Sequence, residues 1–150
     1  MNMPPIEKIH EALTALADGR VSIEDGCALV ISSNKAKEYV VKFDGDEYAS
    51  NDSGTYWQKY PGYPVIAVLM LQKRLPLPEN ILPYFAGIDW NGLNKKYKAK
   101  YAQAAADAME KMRANGADIE MINRTITEIY EQLTLMELEI KRNTVRPRIL

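Results

Sequence analysis

The sequence predicts a helix-rich α+β domain, on the strength of three patterns. Apolar residues recur with helical spacing over 118–142, a second helical pattern covers 90–115, and strand-like alternation marks 27–50. The 150 residues are 47% hydrophobic and 26% charged, which suits one globular domain with its own core. We therefore expect a single domain over 1–150, built from an N-terminal helix, a small three-stranded antiparallel meander, a buried central helix and a long C-terminal antiparallel helical hairpin.

The clearest element is the last helix, over 118–142. Its apolar residues follow alternating steps of three and four and so share one face; they are Ile119, Ile122, Ile126, Ile129, Leu133, Met136 and Ile140. Asp118 can cap the first turn, and Lys141 and Arg142 suit the last turn. The helix is therefore expected to bury this stripe along its whole length.

The preceding helix, over 90–115, begins near Asp89 and stops at Gly116. About two residues separate it from the last helix, so the two should form an antiparallel hairpin in which facing positions sum to about 233. That register places Tyr97 beside Met136 and Leu93 beside Ile140.

The N-terminal half carries a short amphipathic helix at 6–18, followed by the meander at 27–50. Asp44-Gly45 is a strong two-residue hairpin signal of type I′. That turn would place Val41 opposite Tyr48 and Lys42 opposite Glu47, so that Tyr39, Val41, Phe43 and Tyr48 share the buried face.

The middle of the chain combines turn residues with four large aromatic side chains. An ordered loop is expected over 51–63, and its Tyr56, Trp57, Tyr60 and Tyr63 are candidates for binding a partner or ligand. The alternative is that these rings simply fold down over the sheet. A fully apolar run then predicts a buried helix at 64–73, with a buried strand as the alternative.

Composition excludes several classes of function. The net charge of −1 and the pI near 5.9 argue against a partner that needs a wholly basic surface. One cysteine and one histidine exclude an internal disulfide, a thiolate zinc cage and a multi-histidine metal site. With no signal peptide and no apolar run near the ~20 residues of a membrane span, we expect a cytoplasmic protein that has no membrane partner.

No segment matches a nucleotide-binding loop, a nucleophile elbow or an EF-hand, so we assign no catalytic residue, cofactor or metal and lean against an enzyme. Carboxylates near the hairpin could hold a hard cation, but turns favour Asp on conformational grounds alone; they are Asp44, Asp46, Glu47 and Asp52. A Cys27 nucleophile activated by His10 is conceivable, but the spacing favours an inert thiol on an apolar strand face and a half-exposed histidine.

The strongest functional signal is a lysine cluster early in the second long helix, interleaved with tyrosines. Its members are Lys95, Lys96, Lys98 and Lys100, and Arg146 and Arg148 in the tail at 143–150 could extend it. Positive charge early in a helix opposes the macrodipole, so something should compensate for it. A nucleic-acid backbone is one compensation. Cross-helix ion pairs, with Lys96 near Glu137, are the other.

These observations favour a non-catalytic protein-interaction or assembly module, with self-association through the last helix. The alternative is a nucleic-acid or other polyanion binder that uses the lysine cluster. A further alternative is a small-molecule binder or enzyme with a pocket under the Tyr56 to Tyr63 loop. The tail at 143–150 has no period and is expected to fray or to dock on a neighbour.

Overall fold

A computed structural model describes all 150 residues as a mixed α+β fold with six helices and a six-stranded sheet. Helices hold 45% of the residues and strands 18%, so the helix-rich α+β class is confirmed. None of the helices combines the length and apolarity needed to cross a bilayer.

Six α-helices and one 3-10 turn accompany the sheet. In chain order they are α1 Glu7–Ala17, α2 Ser53–Gln58, α3 Tyr63–Leu71, a 3-10 turn Leu82–Phe85, α4 Trp90–Lys96, α5 Tyr101–Ala114 and α6 Ile119–Leu135. The strands are β1 Val21–Glu24, β2 Cys27–Ile31, β3 Lys37–Asp44, β4 Glu47–Ser50, β5 Glu139–Arg142 and β6 Arg148–Ile149.

The sheet runs in the order β1-β2-β3-β4-β5, and β6 pairs with the start of β3. The meander has four antiparallel strands rather than the three predicted, because a turn at Asp25-Gly26 adds β1 ahead of β2. Gly26 has φ +71°, which only glycine adopts without strain. The buried face of β2 carries Ala28 and Val30. Cys27 lies on the other face with Leu29 and Ile31, and it is half-buried rather than fully buried as expected.

The hairpin between β3 and β4 differs from the predicted register by two residues. Phe43, not Val41, lies opposite Tyr48. The central turn residues are Gly45 and Asp46, and only Gly45 has positive φ, which is typical of a type II′ turn rather than type I′. Because the shift is an even number of residues, the side chains keep the faces that the sequence predicts.

Helix α3 forms the centre of the core. Its residues from Val65 to Met70 are fully buried, and the helix packs between α1 and the sheet. The apolar run is therefore a helix, not the strand that the sequence left as an alternative. Pro64 lies in the first turn of this helix, where a proline loses no backbone hydrogen bond.

The predicted helix over 90–115 is broken at its first third. α4 ends at Tyr97, where Lys98 and Ala99 adopt left-handed φ values of 51° and 62°. Lys98 N donates to Lys95 O, and Ala99 N donates to Asn94 O. These two backbone hydrogen bonds form the pattern of a Schellman cap. The chain then turns back and restarts as α5, so α4 contacts α5 and the long hairpin ends at this break.

The predicted helix over 118–142 also ends early. Asp118 caps α6 by accepting from Met121 N, but Met136 is already extended, and 139–142 add to the sheet as β5, parallel to β4. There Ile140 lies opposite Tyr48, and Lys141 pairs with Glu47 at 2.6 Å. The edge of β4 thus offers backbone hydrogen bonds and core contact that a continued helix would lose, and the predicted pairings of Tyr97 with Met136 and Leu93 with Ile140 are wrong.

The tail docks on its own sheet. Residues 143–147 cross the end of α2, and β6 then pairs with Lys37 and Glu38 of β3. Between β4 and β6, side chains complete the ladder: Val40 N donates to Asn51 Oδ1 at 2.8 Å, and Asn143 Nδ2 reaches Val40 O at 3.5 Å. The tail is therefore anchored by asparagines rather than by a continuous strand.

Candidate functional site

A small enclosed cavity of about 180 Å³ lies where α1, β3, the start of α2 and the junction of α4 with α5 meet. We call it the polar cleft. Its wall includes four charged side chains and two tyrosines, namely Lys8, Glu11, Arg20, Asp52, Tyr39 and Tyr63. Such a concentration of charge in an enclosed cavity makes it the first candidate for a binding site.

Helix α1 places Lys8 and Glu11 one turn apart, so that both side chains face the cleft. Lys8 Nζ and Glu11 Oε2 are 2.8 Å apart, and both side chains are almost fully buried. Asn94 Nδ2 approaches Glu11 Oε1 at 3.4 Å, and Lys8 Nζ lies 4.4 Å from the centre of the Tyr101 ring. The Glu11 carboxylate is thus held from two sides.

Burial sets the proton affinity of this pair. Burial raises the pKa of Glu11 above its ordinary value, although the Lys8 ammonium opposes the shift. Burial alone would lower the pKa of Lys8, but the Glu11 carboxylate outweighs it, and the net shift is upward. A carboxyl with a raised pKa can exchange a proton at milder pH than a solvent-exposed glutamate.

Asp52 reaches the cleft because it caps α2. Its Oδ2 accepts from Thr55 N at 3.1 Å, and its Oδ1 accepts from the Ser50 hydroxyl. Gly62 N in turn donates to Thr55 Oγ1 at 3.0 Å, which joins the start of α3 to the start of α2. The predicted loop over 51–63 is therefore wrong in part, because a capped helix occupies its first half.

Arg20 is the least satisfied charged group in the wall. Only 6% of the residue is exposed. Its Nη1 donates to Ile31 O, but Nη2 has no partner, and Nε lies 3.6 Å from Asp18 Oδ2, too far for a hydrogen bond. Nε and Nη2 form one edge of the guanidinium fork, and both atoms are buried.

Tyr39, Tyr63 and Tyr101 also line the wall. The rings of Tyr39 and Tyr63 meet edge to face with centroids 6.4 Å apart. Burial raises the pKa of both hydroxyls, so both stay protonated at neutral pH and can donate hydrogen bonds.

The structure distributes the four predicted aromatic residues among separate surfaces. Tyr63 lines the polar cleft, and Tyr60 lies in an adjoining hollow that shares Lys8 and Tyr101 with it. Tyr56 and Trp57 instead line a groove on the far side of α2, beside the C-terminal tail.

The lysine cluster does not form a single patch with the tail. Because α4 ends at Tyr97, Lys95 and Lys96 stand in the last turn of a helix, where positive charge favours the macrodipole rather than opposing it. Lys96 Nζ lies 3.4 Å from Asp107 Oδ2, so the predicted pairing with Glu137 is wrong. Lys98 belongs to the Schellman cap, and Lys100 is the exposed residue that precedes α5.

The tail arginines lie elsewhere. Arg146 lines the groove beside Trp57, whereas Arg148 in β6 lies 3.8 Å from Glu38. The structure thus places Arg146 beside Tyr56 and Trp57. Neither tail arginine lies with the lysine cluster.

The remaining candidates have structural partners. Asp46 pairs with Arg74, Glu47 pairs with Lys141, and Asp52 caps α2. No three His, Cys, Asp or Glu side chains come together as a metal site. His10 is buried in the core, 5% exposed, rather than half-exposed as predicted; its ring lies about 6 Å from the Phe85 and Trp90 rings, and burial lowers its pKa to about 4.

A larger cleft of about 540 Å³ lies between α4, α5 and the 3-10 turn. It is more open than the polar cleft. The Asp107 carboxylate at its edge already has partners, because the Tyr97 hydroxyl donates to it at 2.8 Å and the Lys96 ammonium lies beside it. We rank it below the polar cleft because it offers volume without unsatisfied polar groups.

Sequence reasoning missed Lys8, Glu11 and Arg20 as site residues, and it considered Asp52 only as one of four carboxylates that could hold a cation near the hairpin. Lys8 and Glu11 stand three residues apart in a short amphipathic helix, a spacing typical of ordinary surface ion pairs. Arg20 follows a helix-ending glycine without any distinguishing pattern. Only their positions around one cavity in the folded structure identify them as site residues.

A family model described as "Uncharacterised conserved protein UCP014422" matches residues 1–139. No curated protein and no solved structure matches the chain. The match covers every residue of the polar cleft but ends at residue 139, before the tail at 143–150.

Proposed function

The chain belongs to the family of the uncharacterised conserved protein UCP014422, and from its geometry we propose that it binds a small polar molecule in the polar cleft. The observation that carries the proposal is that four charged side chains, Lys8, Glu11, Arg20 and Asp52, line one small cavity. Removing charged groups from water is costly unless polar partners replace the water, and a bound polar molecule would supply such partners.

The charges of the wall restrict the ligand. Lys8 and Arg20 carry two positive charges, and Glu11 and Asp52 carry two negative charges, so the four cancel. A ligand with a net charge would leave an uncompensated charge in an enclosed site. We therefore propose a neutral or zwitterionic ligand.

The cavity volume restricts its size. About 180 Å³ corresponds to roughly six water molecules at ~30 Å³ each. The tyrosine hydroxyls and the amide of Asn94 supply further hydrogen bonds to such a ligand. A small polyol or amino-acid-like molecule satisfies these conditions, and a nucleotide does not fit.

Self-association through α6 is less well supported. Three apolar residues of the predicted last helix, Met121, Leu135 and Leu138, lie outside its main stripe and could have formed an interface, but Met121 and Leu138 pack against the protein's own core. Only Leu135 stays exposed, at 82%. A single exposed leucine is a normal surface feature rather than an interface. An assembly role stays a prediction, which the molar mass in solution tests.

Isothermal titration and thermal unfolding test the proposal with neutral polyols, zwitterionic amino acids, dicarboxylates and diamines. We expect members of the first two classes to bind, and a ligand at about 100 times its Kd to add about 2.7 kcal/mol to the free energy of unfolding. Asn94→Leu, at the partly exposed edge of the cleft, should abolish binding. Lys95→Met, on the solvent side of α4, should bind as the unmodified protein does.

Two outcomes contradict the proposal. One is that none of the four classes of compound binds, although cooperative thermal unfolding shows that the protein is folded. The other is that Asn94→Leu binds as well as Lys95→Met, because the ligand then occupies another site.

A further inference from the structure

A second cavity, distinct from the polar cleft, lies between α2 and the C-terminal tail. Its volume is about 340 Å³, and the chain from Asn143 to Pro147 forms one wall. Asn51 holds this wall in place, because its Nδ2 donates to Val145 O at 2.9 Å while its Oδ1 accepts from Val40. We call this cavity the tail groove; its shape is fixed by hydrogen bonds rather than by loose chain.

The opposite wall presents an aromatic pair. Trp57 is 69% exposed, and its ring meets the Tyr56 ring edge to face at 4.8 Å. The Arg142 guanidinium lies 5.1 Å from the centre of the Tyr56 ring, and its Nε donates to Tyr56 O at 2.7 Å. These contacts fix Tyr56 and leave Trp57 as a large apolar surface open to solvent.

The charge in the groove has one sign. Lys37 and Arg146 line it, and no Asp or Glu does. Neither of these two cations lies in an ion pair within the protein, whereas Arg148 nearby is close to Glu38. The groove is therefore complementary to an anionic partner, even though the whole chain carries a net charge of −1.

We propose that the tail groove binds single-stranded nucleic acid, with one base stacked on Trp57 and the adjacent phosphates at Lys37 and Arg146. An unstacked base has the flat apolar face that an exposed tryptophan accepts, and this kind of stacking tolerates any base. A duplex keeps its bases stacked on one another and could use only the two cations, which would supply weak attraction.

This site borders the polar cleft, because Tyr39 and Ser53 line both, but Lys37, Trp57 and Arg146 do not line the polar cleft. It is also different from the lysine cluster, because Lys95, Lys96, Lys98 and Lys100 do not line the groove. The two surfaces can therefore be separated by mutation.

The protein carries its own probe for the test. Its two tryptophans are Trp57 in the groove and Trp90, which is 3% exposed and donates to Thr14 Oγ1 at 2.8 Å. Titration with a short oligo-dT or oligo-U strand should quench the fluorescence of Trp57 and leave that of Trp90. Affinity should fall with salt with a log-log slope of about 1.4, from about 0.7 for each of two phosphates.

Variants assign the binding to the groove, with fluorescently labelled oligonucleotide anisotropy as the readout. Trp57→Leu should weaken binding by about 5- to 150-fold, the range for losing one stacked base. Arg146→Gln should reduce the salt slope by about 0.7. Tyr84→Leu, an exposed ring away from the groove, and Lys95→Gln are the matched controls and should bind as the unmodified protein does.

Four results would overturn the inference. Absence of binding to single strands at ~50 mM salt removes it. Equal affinity of Trp57→Leu and the unmodified protein removes the stacking. A loss confined to Lys95→Gln moves the site to the lysine cluster. Equal binding of a poly-glutamate peptide, insensitive to Trp57→Leu, shows an acidic protein partner instead.

Discussion

The carboxylate of Asp52 packs directly against the Cα of Gly62. A Cβ on Gly62 would overlap the Asp52 carboxylate and lie 2.9 Å from Thr55 Oγ1. This contact joins the caps of α2 and α3, and it holds Asp52 in the wall of the polar cleft.

The contact predicts a strong cost for Gly62→Ala. The methyl group would displace a buried, hydrogen-bonded carboxylate and break the cap of α2, so we expect a loss of about 2–4 kcal/mol in the free energy of unfolding. Gly54→Ala is the matched control, because its Cβ would meet the Tyr60 ring at 2.9 Å and approach Asp52 Oδ2 only to 3.3 Å. Denaturant unfolding that shows equal costs for the two variants contradicts this account.

The break between α4 and α5 predicts that Lys98→Gly is stabilising. Lys98 has φ 51°, a conformation that glycine adopts without strain, so the variant should gain about 0.5–1 kcal/mol. Lys95→Gly, inside α4, should instead lose about 1 kcal/mol. In a continuous helix over 90–115 both variants would be destabilising, so the sign for Lys98→Gly in chemical denaturation decides between the two structures.

The asparagine anchor of the tail predicts a local effect of Asn51→Asp. The carboxylate keeps the acceptor for Val40 N but loses the donor to Val145 O, and it places two acceptors together. Hydrogen exchange of the Val40 amide should stay slow, while the amides of 144–149 exchange faster. Asn51→Ala should release both. If Asn51→Asp left the tail as protected as before, the anchor would not depend on this bond.

His10 predicts a pH dependence of stability. Its pKa is about 4 in the folded protein and about 6.5 when unfolded, so the unfolded chain binds more protons below pH 6.5. The stability that neutral His10 retains at neutral pH is therefore lost as the pH falls from 6.5 towards 4, by about 2 kcal/mol at pH 5.

His10→Leu removes this titration and is the matched control for the carboxyl groups that titrate in the same range. Unfolding free energies of both proteins at pH 7 and pH 5 give the comparison. We expect the unmodified protein to lose about 2 kcal/mol more than the variant between these values. Equal losses would mean that His10 is protonated normally in the fold.

Local signals predicted much of the fold, because they act within a few residues. The cap at Asp118, the apolar run of α3 and the glycine turn at Gly45 each satisfy backbone groups nearby, so the sequence shows them directly. The face of β3 followed from its alternation even though the register was wrong by two. The same local reasoning failed at Lys98, because lysine rarely ends a helix in the left-handed conformation.

The candidate site was less predictable than the fold. Tyr56, Trp57, Tyr63 and Arg146 were named from composition alone, and the structure assigns the first two and Arg146 to one groove and Tyr63 to another cavity. No sequence pattern linked them, because the polar cleft joins residues that are up to about ninety positions apart.

The sequence by itself determined the α+β class, the burial of α3 and the start of α6 at its Asp118 cap, since propensity, periodicity and capping act over one or two turns. Only the tertiary structure decided that α6 ends at Leu135 and that 139–142 join the sheet, because the open edge of β4 supplies hydrogen bonds and core contacts that no local pattern encodes. The same holds for the polar cleft: Lys8, Glu11, Arg20 and Asp52 line one cavity only because α1, β3 and the α4–α5 junction meet there.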